Sequence, residues 1–174
     1  MPCDVFISYT SEKDLFGQVS DFRKHLENAL KGTTGKRDLV VFQDTAMLGL
    51  GDVYPEVLAE NLGSAKVLLI LLSPAWLAES KWCIREYNIF KQSMTDGTGK
   101  TIAPVVWYSI DGLNLLPEQQ DRLKEIQENY DWVHWEAFKH VNWNATNSEI
   151  LYAAIEDLAK HLKPYFPLNS ARTS

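Results

Sequence analysis

Apolar residues in this chain come in two spacings, short continuous runs and longer stretches that repeat every three or four positions, and the two alternate from the start. Residues 3–9 (CDVFISY) form a nearly unbroken apolar run, the pattern of a parallel strand buried on both faces. Polar residues 10–14 follow, with Ser11 and Asp14 at capping-box spacing, and Leu15, Val19, Phe22, Leu26 and Leu30 then recur at helical intervals. The glycines and basic residues of 31–37 end that helix, and 38–42 (DLVVF) predict a second strand. A loop over 43–52 leads to a second helix over 53–62. Residues 66–73 (KVLLILLS) are the strongest strand signal, aliphatic on both alternating faces and hence central in a sheet. Ser80 is positioned to cap a helix reaching about Met94, with Cys83, Tyr87, Phe90 and Met94 on its inward stripe. Residues 101–107 (TIAPVVW) predict a fourth strand, in which Pro104 points to a place near the sheet edge. The stretch 109–130 is acidic and weakly periodic, with one helix over 117–129, and 132–135 predict a short fifth strand. Ile150, Leu151, Ala154, Ile155, Leu158 and Leu162 form a last amphipathic helix, stopped by Pro164 and Pro167.

Five strands alternating with helices imply an α/β fold, a flavodoxin-like three-layer sandwich with a central five-stranded parallel sheet and helices on both faces. Ligands in such sheets bind at the carboxyl ends of the strands, which directs attention to the loops at 9–14, 43–52, 73–80 and from 107 onward. The 174 residues suit one domain over 1–166 followed by a polar tail or linker stub over 167–174, and no internal repeat is visible.

Charge narrows the partners. The formal net charge is −6, and nearly all of it sits in 111–136, where seven acids face only Arg122 and Lys124. That balance argues against duplex nucleic acid and against an anionic membrane surface as partners. Cys3 and Cys83 lie far apart, with no C-x-x-C and no paired histidine spacing, so neither a disulfide framework nor a structural zinc site is indicated. With no secretion signal and no apolar run long enough to span a bilayer, a reducing, cytoplasmic location is expected. The sequon at Asn144-Ala145-Thr146 then reads as chance. His25, His134, His140 and His161 show no metal-ligand spacing, and no metal is expected.

The candidate loops exclude some chemistry. A phosphoacceptor fold of this topology needs acids after the first and third strands, where this chain has Tyr9-Thr10 and Ser73-Pro74. Thr10-Ser11 is too thin a phosphate loop for a flavin, and Gly49-Leu50-Gly51 lacks the third glycine of a dinucleotide fingerprint. A more specific arrangement opens the third predicted helix. Trp82 and Glu86 are four residues apart and share a face beside the core stripe, near the carboxyl edge of the sheet. On spacing alone, such a pair is a half-buried packing residue and a solvated charge.

Three stretches carry a family resemblance. Asp4-Val5-Phe6-Ile7-Ser8-Tyr9 resembles the first box of the Toll/interleukin-1 receptor (TIR) domain family, and Gln43-Asp44 with Leu48-Gly49-Leu50-Gly51-Asp52 resembles its second box and BB loop. Residues 73–86 (SPAWLAESKWCIRE) are similar to the stretch after its third strand, ending in W-x-x-x-E. The matches stand in the family's order over about residues 4–90; 109–147 match nothing comparable. The second box commonly has an Arg before the Asp and a Pro in the loop, where this chain has Gln43 and Leu48-Gly49.

The resemblance implies one of two activities: cleavage of the nicotinamide–ribosyl bond of NAD+ in an immune or antiphage defence role, of bacterial style, or a non-enzymatic module that assembles with other TIR domains. Carried over by position, Glu86 matches the family's catalytic glutamate. NAD+ would be the substrate, with no separate cofactor. Nicotinamide departs as a neutral molecule, so one carboxylate can serve where glycosidases use two. Trp82 or Tyr9 would stack on the cationic ring, and Thr10 and Ser11, at the start of the first helix, would offer donors to the diphosphate or simply cap that helix. Asp44 and Leu48 would line the substrate side of the BB loop, or Asp44 would brace the loop through Asx-type bonds. The implied products are ADP-ribose or a cyclic isomer, the implied partners other TIR domains in self-assembly and a fused or separate sensor domain.

Overall fold

The structure, a computed structural model, describes residues 2–10, 17–43, 56–95 and 99–168. Its centre is a five-stranded, all-parallel sheet in the order β2-β1-β3-β4-β5. The strands are β1 (Val5–Ser8), β2 (Val41–Gln43), β3 (Val67–Leu72), β4 (Thr101–Val106) and β5 (Val133–His134). The helices are α1 (Gln18–Thr34), α2 (Glu56–Ser64), α3 (Pro74–Ala78), α4 (Lys81–Ser93), α5 (Pro117–Asn129) and α6 (Glu149–Leu162), followed by a short 3-10 turn at Lys163–Tyr165. This is the doubly wound, flavodoxin-like α/β order expected from the alternation of runs and periodic stretches.

Side-chain alternation along the strands divides the interior in two. Val5 and Ile7 of β1, Val67, Leu69 and Leu71 of β3, and Ala103 and Val105 of β4 pack with α1 and α6. Phe6, Leu68, Ile70, Leu72, Ile102 and Val106 point the opposite way, to Leu62 of α2, Trp76 of α3, Cys83 and Phe90 of α4 and Ile126 of α5. All six residues of β3 are buried, as a central strand demands. On the α1 side, Phe22 meets Trp107 and Trp135 edge-on, with ring centroids 5.5 and 5.0 Å away.

Four details differ from the sequence pattern. First, α1 starts at Gln18 behind Gly17 and runs on through Thr34 to a Gly35 C-cap, so Lys31 lies inside the helix and Thr10 is well before its N-terminus. The stop is set by Gly35, whose left-handed backbone (φ 76°) lets its N–H donate to the Lys31 carbonyl at 3.0 Å. Second, residues 74–78 form the extra helix α3: Ser73 caps it, accepting from the Trp76 N–H at 3.2 Å, and Pro74 opens it. Third, β4 is not the edge strand. The edge belongs to β5, which pairs only with Val105 and Val106, so Pro104 has no β5 residue opposite it that would need its missing N–H. Fourth, the expected strands shorten, β2 to Val41–Gln43 and β5 to Val133–His134. The start of β2 is tied by side chains instead, with Val40 N–H donating to Asp4 at 2.8 Å and Val41 N–H to Glu27 at 2.9 Å.

The helix expected over 53–62 is described from Glu56, and the residues before it, with most of the 43–52 loop, lie outside the described residues. Among the described residues, no helix is long and apolar enough to cross a membrane.

Gly35→Ala forces a side chain into left-handed backbone and is expected to cost roughly 1–2 kcal/mol, read as a lower urea midpoint at unchanged slope; an unchanged midpoint contradicts the capping assignment. Cys3 and Cys83 are both buried, and burial pushes the Cys3 thiol up to about 12. A thiol reagent at pH 8 is therefore expected to leave the folded protein unlabelled and to titrate both cysteines only in denaturant, whereas rapid native labelling would refute the packing.

Candidate active site

The carboxyl ends of β1, β2 and β3 lie on one edge of the sheet, and α4 begins beside that edge. Ser80 starts α4 by accepting a hydrogen bond from the Cys83 N–H at 3.1 Å. From there Cys83, Glu86, Tyr87 and Phe90 recur at helical spacing and are all buried. Glu86 thus sits within the inward stripe rather than beside it, with only 6% of its surface exposed. A carboxylate there is costly unless donors meet it.

One donor is Ser8, the last residue of β1. Alternation puts Ser8 on the same face as Phe6, toward α3 and α4, where its hydroxyl donates a hydrogen bond to Glu86 Oε2. The same hydroxyl oxygen accepts from the Trp76 indole N–H at 3.0 Å. Ser8 and Trp76 are fully buried, so the chain Trp76–Ser8–Glu86 joins α3, β1 and α4 inside the protein. The next residue of α4, Tyr87, donates to Glu125 of α5 at 2.8 Å, and Glu125 also pairs with Lys91. Burial holds the Tyr87 phenol above its ordinary pKa, so it remains a donor.

The other residues named from the sequence gather unevenly around Glu86. Tyr9 follows Ser8 and is half-buried; its hydroxyl accepts from the Gln43 amide at 3.1 Å, and the same amide nitrogen donates to Ser20 at 3.2 Å, tying β1, β2 and α1 together. Thr10 is buried, and its hydroxyl has no hydrogen-bond partner among the described residues. Trp82, half-buried, lines a groove of about 480 Å³ with Glu79, Ser80, Lys81 and Arg85 at the start of α4. Glu86 is one turn further on and turned inward to Ser8. Ser11, Asp44 and Leu48 lie outside the described residues.

Ser8 and Trp76 were not among the residues singled out from the sequence. Their signals were present: a serine on the inward register of an otherwise apolar strand must find a partner, and a buried tryptophan must place its N–H. The site presents a buried glutamate bonded to Ser8 at the carboxyl edge of a parallel sheet, with Tyr9 and Thr10 following Ser8 in the chain and Trp82 one turn before Glu86 on α4. In its ionised form such a carboxylate stabilises positive charge developing on a bound molecule. Among the described residues, no three His, Cys, Asp or Glu side chains come together as metal ligands.

The model of the TIR domain family matches residues 5–141, which include β1, α4, Ser8, Trp76 and Glu86. The chain belongs to the TIR domain family. This TIR domain is similar in fold to the TIR domains in the structure of the activated Roq1 resistosome directly recognising the pathogen effector XopQ, with 19% identity and a TM-score of 0.46 over 91% of this chain and 84% of that one. A search of curated proteins finds no match.

Ser80→Ala removes the α4 cap and is expected to destabilise this TIR domain by about 1 kcal/mol. Denaturant unfolding measures it; a change below a few tenths of a kcal/mol would mean that the hydroxyl does not hold the helix start.

Proposed function

We propose that this TIR domain is an NAD+ nucleosidase that breaks the nicotinamide–ribosyl bond, with Glu86 as the catalytic carboxylate. The observation that carries the reading is a glutamate kept inside the protein at the carboxyl edge of the sheet, its orientation fixed by Ser8. A module that only assembles has no need to bury a carboxylate there, where each ion taken from water costs several kcal/mol.

In the proposed reaction the N-glycosidic bond breaks with its electron pair passing to nicotinamide, which leaves neutral and needs no general acid. Positive charge develops on the ribose, and Glu86 stabilises it while accepting hydrogen bonds from ribose hydroxyls. Attack by water, with loss of its proton, gives ADP-ribose; attack by an adenine nitrogen or a ribose hydroxyl of the same molecule gives a cyclic isomer. Trp82 or Tyr9 offers a face to the nicotinamide ring. Thr10, whose hydroxyl has no partner among the described residues, is the donor proposed for the diphosphate side. Ser11, Asp44 and Leu48 complete the substrate surface in this reading.

Family membership supplies, by analogy, the accompanying proposals of a defence role, of self-association with other TIR domains and of a sensor domain as partner. Where neighbouring subunits complete the site, specific activity rises with protein concentration and under crowding; constant specific activity over a wide dilution range contradicts that part.

Purified protein incubated with NAD+ at high concentration and with crowding agent is expected to release nicotinamide together with ADP-ribose or its dehydrated cyclic form, separated by liquid chromatography with mass detection. Glu86→Ala is expected to lose at least about 100-fold in rate. Absence of turnover in self-assembled wild-type protein favours the assembly module, and turnover surviving in Glu86→Ala shows that another group does the chemistry.

A further inference from the structure

We infer that Ser8 and Trp76 are positioning residues for Glu86, forming a one-way hydrogen-bond relay that orients the carboxylate for reaction. The catalytic consequence rests on the nucleosidase reading above; the relay itself does not.

Donor and acceptor chemistry fixes the direction. An indole N–H only donates, so the 3.0 Å contact from Trp76 to Ser8 occupies an acceptor site of the serine oxygen. Serine has a single hydroxyl proton, and Glu86 is its partner among the described residues. Trp76 thereby holds the Ser8 hydroxyl in the rotamer that delivers its proton to Glu86 Oε2. Burial of all three residues keeps water from competing for the bond.

Each member is locked by its own element. Ser8 closes β1, whose register with β3 pairs it with Ile70. Trp76 lies in α3, its backbone N–H held by the Ser73 cap and its ring set edge-on to Tyr87 at 6.0 Å. Glu86 rides on α4, started by Ser80. The short helix α3 therefore has a function beyond connecting β3 to α4: it brings an indole donor behind the strand end that holds the carboxylate. A rotated or wandering carboxylate would still fold into this position but would meet the ribose poorly, and misplacement on the scale of 1 Å costs up to about 100-fold in rate.

The test has an activity arm and a spectroscopic arm. With NAD+ as substrate, Ser8→Ala is expected to lower kcat about 10- to 100-fold with KM within about two-fold. Ser8→Thr, which keeps the hydroxyl on a strand-compatible side chain, is expected to restore most of kcat, and Trp76→Phe to give a smaller loss in kcat alone. In nitrogen-15 spectra, the Trp76 indole resonance is assigned by its disappearance in Trp76→Phe. It is expected to shift in Ser8→Ala and also in Glu86→Gln, although Trp76 makes no hydrogen bond to residue 86 itself. An indole resonance unmoved by Glu86→Gln overturns the relay, as does a folded Ser8→Ala protein with unchanged kcat. If Ser8→Ala does not fold, Trp76→Phe and the indole shift in Glu86→Gln decide the question. If wild-type protein cleaves no NAD+, the nucleosidase reading falls, while the indole response still decides whether the relay holds Glu86.

Discussion

A carboxylate removed from water has to be met by donors, and the Ser8 hydroxyl is one that meets Glu86. That bond spans the molecule in sequence and ties the end of β1 to the second turn of α4. It constrains much of the architecture around it. β1 must end on a polar residue facing the α4 side, α4 must start close enough to turn Glu86 inward, and α3 must supply the donor that leaves Ser8 only one direction in which to give its proton. Removing Ser8 would take away the acceptor of the buried Trp76 indole N–H, at about 1–3 kcal/mol.

The parallel sheet makes this meeting point natural. All strands run the same way, so their carboxyl ends, with Tyr9, Gln43 and Ser73, gather on one edge. The strand order turns outward in opposite directions from β1 and β3, and the crevice at that reversal is where such folds bind ligands. Ser8, the last residue of β1, lies directly at this reversal. The apolar sheet behind it keeps the geometry fixed.

Most of the fold was legible from apolar spacing. The run at 66–73 read as a central strand because 67–72 are all aliphatic, and the helix over 117–129 was visible from Pro117 and the weak periodicity behind it. Helix α3 escaped because five residues make little more than one turn, too few to repeat a pattern, although Ser73-Pro74 is a capping signal. Pro104 suggested an edge, but it lies on the inner strand β4, paired with Ile70 of β3 and left uncovered on the other side by the short β5. At the site, the W-x-x-x-E spacing singled out Glu86 and placed it on the right helix. Its burial was not legible, because a glutamate at that spacing reads as solvated until its partner is known. The partner lies 78 residues away on β1, a pairing that only the folded register creates.

The proposed nucleosidase reaction requires the reacting bond of NAD+ to lie against Glu86. The most direct measurement is a crystal structure of Glu86→Gln soaked or co-crystallised with NAD+. The account predicts the nicotinamide-bearing ribose within hydrogen-bond reach of residue 86, the nicotinamide ring against Trp82 or Tyr9, and Ser8 still bonded to the residue 86 side chain. NAD+ bound at a different face of the domain, with residue 86 out of reach of the glycosidic bond, would contradict it.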